Sequence, residues 1–332
     1  MTRGADRALF LTGSGWDQAE IQPLAGDASS RSYYRIHQAS RSAILMDVAD
    51  DPTGSLPRFL AIGSHLSRIG LHPPAVLSVD REKGLLLLED LGDELFARVM
   101  SRDAALELPL YRTAIDVLVA VQTTSPPDLP EFGPAVMAEA AGLAARSYAG
   151  RQQDAGTLSN ALRPLLDRIE VTAPVMIMRD YHAENLVWCP GSAGLMRVGL
   201  LDFQDAMIGH PVYDIVSLLQ DARRDVSAET SASLKAYAQS LPNWSGPGFE
   251  FAFAVLGAQR ALRILGVFAR LSLAHGKPGY IDLIPRVWDL MARNLEHPEL
   301  SDLAGIVRRI LPEPDASHIS DLKARCQNLP TP

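Results

Sequence analysis

The sequence predicts an α+β protein of two lobes, a small β-rich N-terminal part and a larger, mainly helical C-terminal part. Three observations predict it. Apolar runs of strand length, separated by turn residues, crowd the first ninety positions. From about residue 93 the apolar residues recur at helical spacing. A short β segment over 175–201 interrupts that helical half. A chain of 332 residues is long enough for two domains.

The elements follow in order. Residues 21–25 form a short strand candidate, and Gly26-Asp27-Ala28-Ser29-Ser30-Arg31-Ser32 is rich in turn formers. Residues 33–37 and 42–48 are apolar or aromatic runs of strand length. Pro57 suits the first turn of a helix. Phe59, Ile62, Leu66 and Ile69 continue it at spacings of three or four, and Gly70 closes it. Residues 76–79 and 85–88 flank the turn Arg81-Glu82-Lys83-Gly84, which makes a hairpin. Leu85 to Leu88 do not alternate with polar residues, so both faces of that strand are expected to be buried. Glu89 to Asp93 break the pattern and mark a hinge, so the expected lobes are 1–92 and 93–332. Helices are expected over 106–123, 135–149, 157–170, 212–224, 228–240, 249–275 and 280–296. Strands are expected over 175–178, 186–188 and 198–201. The Pro-, Asp- and Ser-rich tail from Pro312 reads as loosely ordered.

Composition narrows the function classes. Apolar residues at 47% and charged residues at 21% describe an ordinary globular protein and exclude wholesale disorder. The formal net charge of −8 argues against nucleic-acid or anionic-membrane partners. The apolar stretch 249–275 carries Gln259, Arg260, Arg263 and Arg270, which suit a buried helix better than a membrane span. Cys189 and Cys326 are the two cysteines, too few for a disulfide framework or a zinc site. With no secretory leader in the N-terminal residues, a reducing cytoplasm is the expected compartment. Lysine is scarce: four residues, Lys83, Lys235, Lys277 and Lys323, against 31 basic residues in all.

The strongest chemical signal lies in the β segment: Met178-Arg179-Asp180-Tyr181-His182-Ala183-Glu184-Asn185, then Leu201-Asp202-Phe203-Gln204-Asp205. Transfer of a phosphoryl group from ATP asks little covalent chemistry of a protein and depends on positioning and charge neutralisation. A carboxylate must take or orient the proton of the acceptor hydroxyl. Hard oxygen ligands must hold Mg²⁺ against the phosphates. An Asp followed five positions later by Asn puts both kinds of group on one short loop, and the strand-terminal Asp202 adds a second metal ligand. Taken singly, Asp180, Asn185 and Asp202 are also common turn residues. Their joint placement points to chemistry.

With these motifs the chain resembles the aminoglycoside phosphotransferase and choline kinase group of small-molecule kinases, which share the protein-kinase fold. It is most similar to the bacterial branch acting on cell-wall amino sugars such as N-acetylmuramate and N-acetylglucosamine. The resemblance rests on Gly26 to Arg31 with Tyr33-Tyr34-Arg35, Leu87 to Asp93, Arg179 to Leu186, Leu201 to Ala206, Tyr213-Asp214-Ile215 and Gln259-Arg260. It implies ATP and Mg²⁺ as cofactors and a small-molecule hydroxyl as acceptor. It puts Asp180 in the place of the catalytic base and Asn185 and Asp202 in the magnesium places. Gly26, Ser29, Ser30 and Arg31 belong to the phosphate-covering loop, and the backbone of Glu89 and Leu91 takes adenine. Asp214 supports the catalytic loop. His182, Asp205, Gln259 and Arg260 remain supporting or acceptor candidates, and His182, Gln259 and Arg260 also have a purely structural reading.

Two positions depart from the family pattern. Met178 stands where many relatives carry an orienting histidine. Met46 stands at the strand-three lysine, and the helix expected over 57–70 carries no glutamate to pair with one. An arginine, Arg31 or Arg35, is the expected substitute, because a guanidinium grips phosphate with two parallel N–H groups. An aminoglycoside or choline kinase and a nucleotide-binding pseudokinase are the alternative readings. A choline site would want more aromatic residues than the 6% present.

Overall fold

The computed structural model describes residues 2–24, 31–48, 55–169, 171 and 173–327. The chain opens with helix α1 (Arg3–Gly13) and strands β1 (Glu20–Leu24), β2 (Ser32–Gln38) and β3 (Arg41–Asp47). Helix α2 (Ser55–Arg68), strands β4 (Val76–Asp80) and β5 (Leu85–Glu89), and helices α3 (Phe96–Arg102) and α4 (Glu107–Gln122) follow. Next come α5 (Pro134–Ala141), α6 (Ala155–Arg168), β6 (Val175–Ile177), β7 (Leu186–Trp188), β8 (Val198–Leu200) and β9 (Met207–Gly209). Helices α7 (Tyr213–Leu219), α8 (Ala228–Gln239), α9 (Phe249–His275), α10 (Ile284–Leu295), α11 (Ser301–Ile310) and α12 (Ala316–Gln327) complete the chain. It divides into two compact units, one of residues 1–127 with 184–206, the other of 128–183 with 207–332. The first unit thus takes in α3, α4 and the β7–β8 hairpin, all of which lie beyond residue 92.

The first unit is built on an antiparallel sheet of order β1-β2-β3-β5-β4. Its central strand is β3, and the four leucines of the neighbouring β5 are all buried, as the unbroken apolar run predicts. Strand alternation sorts the side chains onto two faces. Ile36, Ala43, Leu45, Leu85 and Leu87 form one apolar cluster with Leu11 of α1 and Trp16. Tyr33, Arg35, Ile44 and Met46 take the other face, with Tyr33 opposite Met46 and Arg35 opposite Ile44. Helix α1 was not foreseen. It buries a single residue, Leu11, so its apolar stripe is too short for a periodic signal. Charge holds it as well: Arg3 and Arg7 both reach the buried carboxylate of Asp47. Helix α2 buries Phe59, Ile62 and Leu66 as its spacing predicts.

In the second unit β6 pairs with β9, and α9 runs through the core with 18 of its 27 residues buried. It is the one described helix long and apolar enough to cross a membrane, but 83% of its most apolar window is buried inside the protein. The tail departs from expectation. Instead of a loose end after Pro312, α12 docks through buried Leu322 and Cys326. The Cys326 thiol donates to the Ser272 carbonyl at 3.1 Å. Tyr148 adds a hydroxyl bond to the Pro312 carbonyl at 2.8 Å and an edge contact with His318. A polar helix held by a few anchors has the composition of a linker, which is why the sequence misled.

Candidate active site

In the first unit, the β7–β8 register sets two oxygen donors together. Leu186 pairs with Leu200, and Leu201 N–H donates to the Asn185 carbonyl at 2.9 Å, so Asn185 and Asp202 finish the same end of the hairpin. Asp202 has φ of 55°, a left-handed conformation that costs a non-glycine residue strain and recurs at functional sites. The Gln204 amide donates to Asp202 Oδ1 at 2.6 Å. Phe203 is buried and stacks on Phe59 of α2 at 4.9 Å, while Trp188 packs edge-on against Phe96. Asp205 is exposed.

Arg31 lies beside Asp202, its Nη1 3.9 Å from Oδ1. Its Nε donates to Ser55 Oγ at 3.3 Å, and its side chain is 9% exposed. Tyr33 bonds the same guanidinium, and burial pushes its hydroxyl above the ordinary tyrosine range. Arg35 has other partners. Its guanidinium contacts Asp90 at 2.9 Å and Asp93 at 2.7 Å, locking the segment that follows β5. Met46 is buried. Lys83 points to Asp6 at 3.3 Å from its hairpin turn. Glu89 N–H donates to the Ala75 carbonyl, and its carboxylate accepts from Ala75 N–H and contacts His72. Leu91 reaches the position a Cβ on Gly199 would occupy, 2.8 Å away, so that strand residue must be small. Gly26, Ser29 and Ser30 lie outside the described residues.

In the second unit, Asp180 follows a strained residue. Arg179 has φ of 67°, and Asp180 N–H donates back to the Met178 carbonyl at 2.9 Å, a tight γ-turn that backbone sterics disfavour. The backbone of Arg179 is braced on both sides. Asp214, fully buried, accepts from Met178 N–H at 2.6 Å and from Arg179 N–H at 2.9 Å. Ser217 Oγ donates to the Arg179 carbonyl, and the Arg179 guanidinium lies over the Phe132 ring. Burial pushes the Asp214 carboxyl up to about 7, against the pull of those two N–H donors.

The Asp180 carboxylate has Arg263 Nη2 at 3.6 Å. Burial alone would raise its pKa. The charges of Arg263, His182, Arg260 and Arg179 outweigh that and hold it below the usual carboxylate range. His182 is buried, which pushes its pKa down despite the nearby carboxylates of Asp221 and Asp180. The two polar residues foreseen on α9 separate. Gln259 donates to the Met137 carbonyl at 2.9 Å and ties α9 to α5. Arg260 donates to the Gln220 carbonyl at 3.0 Å and acts electrostatically on Asp180. Arg263 was missed as a site residue. Its signal was there: a second arginine, one turn on from Arg260, inside the most apolar stretch of the chain.

Among the described residues no three His, Cys, Asp or Glu side chains form a metal cluster. Magnesium needs no such cluster, because it takes one or two protein oxygens and completes its shell with phosphate and water. The donor set of Asn185 and Asp202 fits that demand.

A strained carboxylate-bearing turn, a hairpin ending in Asn and Asp, and a five-stranded antiparallel sheet with an arginine beside that Asp define a kinase-like phosphotransferase. The chain belongs to the phosphotransferase enzyme family, whose model matches residues 20–249. It is 35% identical to the N-acetylmuramate/N-acetylglucosamine kinase of Caulobacter vibrioides, over 93% of this chain and 97% of that protein. Identity is 32% to the protein of that name from Pseudomonas aeruginosa, over 90% and 91%. The solved structure of ADP-bound aminoglycoside phosphotransferase APH(2'')-Ib has the same fold, with a TM-score of 0.62 and 14% identity, over 87% of this chain and 99% of that one. The protein is a small-molecule kinase that phosphorylates a hydroxyl group, and its family uses ATP.

Proposed function

We propose that this kinase phosphorylates an amino sugar in the cytoplasm, in a Mg²⁺-dependent reaction with Asp180 facing the acceptor hydroxyl. The observation that carries the reading is the Asp180 carboxylate, ionised by the surrounding arginines and mounted on a turn braced from four sides. A rigid, ionised carboxylate orients a hydroxyl and takes its proton as the phosphoryl group arrives. Asn185 and Asp202 would hold the magnesium ion, which offsets phosphate charge when bound. Arg31 contacts the phosphates in place of the absent lysine, because Arg35 is already engaged by Asp90 and Asp93. Asp214 holds the turn, and the Glu89–Leu91 backbone receives adenine. In this reading residues 1–92 form the nucleotide lobe, and residues 93–332 carry catalysis and the acceptor.

The names of the relatives support the sugar assignment. The test is an ADP-release assay over N-acetylated sugars, aminoglycosides and choline, with and without Mg²⁺. Turnover of N-acetylated amino sugars that stops in the Asp202→Asn variant is the expected result. Nucleotide binding without turnover of any acceptor would show a pseudokinase instead.

A further inference from the structure

A cleft of about 510 Å³ opens in the second unit, between the segment after α7 and helices α8, α9 and α10. Its size is that of a small-molecule site. Asp221, Arg224, Ala232, Phe253, Leu290 and Arg293 are among the residues that line it. Asp221 is 2% exposed. Its Oδ1 accepts from Arg223 N–H at 2.8 Å. Its Oδ2 is buried with no hydrogen-bond donor among the described residues. A buried carboxylate oxygen is costly to leave unmatched, so its presence on a cleft wall points to a donor that arrives with a ligand.

The cleft wall is also linked to the Asp180 cluster through buried side chains. His182 and Arg260 each feel the charges of both Asp180 and Asp221. Arg260 bonds the carbonyl of Gln220, itself a lining residue. Arg260 thus bridges the cleft wall at Gln220 and the charge cluster at Asp180. The lining charges nearly balance, with four carboxylates against three cationic side chains among the described residues. One pair, Lys235 with Glu250, is closed on itself at 2.6 Å. A polyamine would need a surplus of carboxylates; a sugar whose nitrogen is acylated does not.

We propose that this cleft seats the acceptor as an N-acylated monosaccharide, and that Asp221 Oδ2 accepts a hydrogen bond from one of its hydroxyls. The assignment rests on the sugar-kinase function proposed above and adds the residue that reads the sugar.

Two variants test it, with N-acetylglucosamine and its monodeoxy analogues as probes. Asp221→Asn keeps the volume and the bond from Arg223 N–H. It should raise the acceptor KM about 10- to 100-fold, the range of a hydrogen bond to a charged group, and leave the KM for ATP within about twofold. One deoxy analogue should lose a similar factor on the wild type and lose nothing more on Asp221→Asn. Ala232→Phe, at an exposed position on the cleft wall, should raise the acceptor KM with no change in Tm. If the wild type turns over N-acylated sugars and both variants keep its acceptor KM, or if every deoxy loss adds in full to that of Asp221→Asn, the assignment is overturned. If the wild type turns over none of these sugars, the proposed function falls and the assignment with it.

Discussion

The substitution Asp214→Asn should lower activity while making the protein more tolerant of neutral pH. Asp214 is fully buried and raised to about 7 from an ordinary value of 3.8. A carboxyl whose pKa is raised on folding binds more protons in the native state than in the unfolded one between those two values. Its contribution therefore destabilises progressively as pH rises from about 4 to 7, and is absent below that window. Between pH 5 and pH 7 this single group removes about 2 kcal/mol. In a unit of 150–250 residues that is about 4–8 °C in Tm. The introduced amide does not titrate, so the gap in Tm between variant and wild type should shift by that amount in the variant's favour from pH 5 to pH 7. Asparagine also presents an amide donor to one of the two N–H groups it must satisfy, at Met178 and Arg179. One buried N–H then loses its acceptor, at about 1–3 kcal/mol, and the γ-turn under Asp180 loosens. A fall in kcat of at least tenfold with the KM for ATP unchanged is expected. Thermal melts across pH together with steady-state kinetics decide the matter. A Tm gap independent of pH would refute the raised carboxyl, and full kcat would refute the bracing role.

Other expected outcomes are narrower. Asp180→Asn should cut kcat about a hundred- to ten-thousand-fold, the usual worth of a general base, while nucleotide affinity measured by calorimetry stays near that of the wild type; a loss of only a few-fold removes Asp180 from the chemistry. Arg31→Ala should raise the KM for ATP and lower kcat with little change in Tm, Arg31→Lys should recover only part, and Arg35→Ala should act mainly on Tm through Asp90 and Asp93; the reverse pattern would move the phosphate contact to Arg35. Arg263→Met removes the cation that lowers the Asp180 carboxyl most, so the acid limb of the kcat/KM profile should move to higher pH; an unmoved limb would show that Arg263 does not set the ionisation of Asp180.

The motif around Asp180, Asn185 and Asp202 was legible because its chemistry is local. Turn residues at fixed offsets next to short strands are written in consecutive positions, and the four-leucine run announced the buried strand β5 in the same way. Arg263 and Asp221 were not legible as candidate site residues. Each gains its meaning from neighbours distant in sequence, and the same arginine in an apolar run reads equally well as a packing device. Helices α1 and α12 escaped for a related reason. Each is fastened by a few long-range contacts, Arg3 to Asp47 in one case and Cys326 to Ser272 in the other, which carry no periodic trace.

The choice between Arg31 and Arg35 marks the boundary most clearly. From the residue types, the scarcity of lysine and an uncharged Met46 led to the expectation of an arginine substitute, because phosphate charge calls for a cation. The sequence put Arg31 at the end of the turn-rich loop and Arg35 on the strand that follows it. Their different partners came from the tertiary structure. Folding brings Asp90 and Asp93 around Arg35 and leaves Arg31 beside Asp202. Residue type determines which charges a chain carries. Only the packed fold decides which of them meet, because the partners lie far apart in sequence.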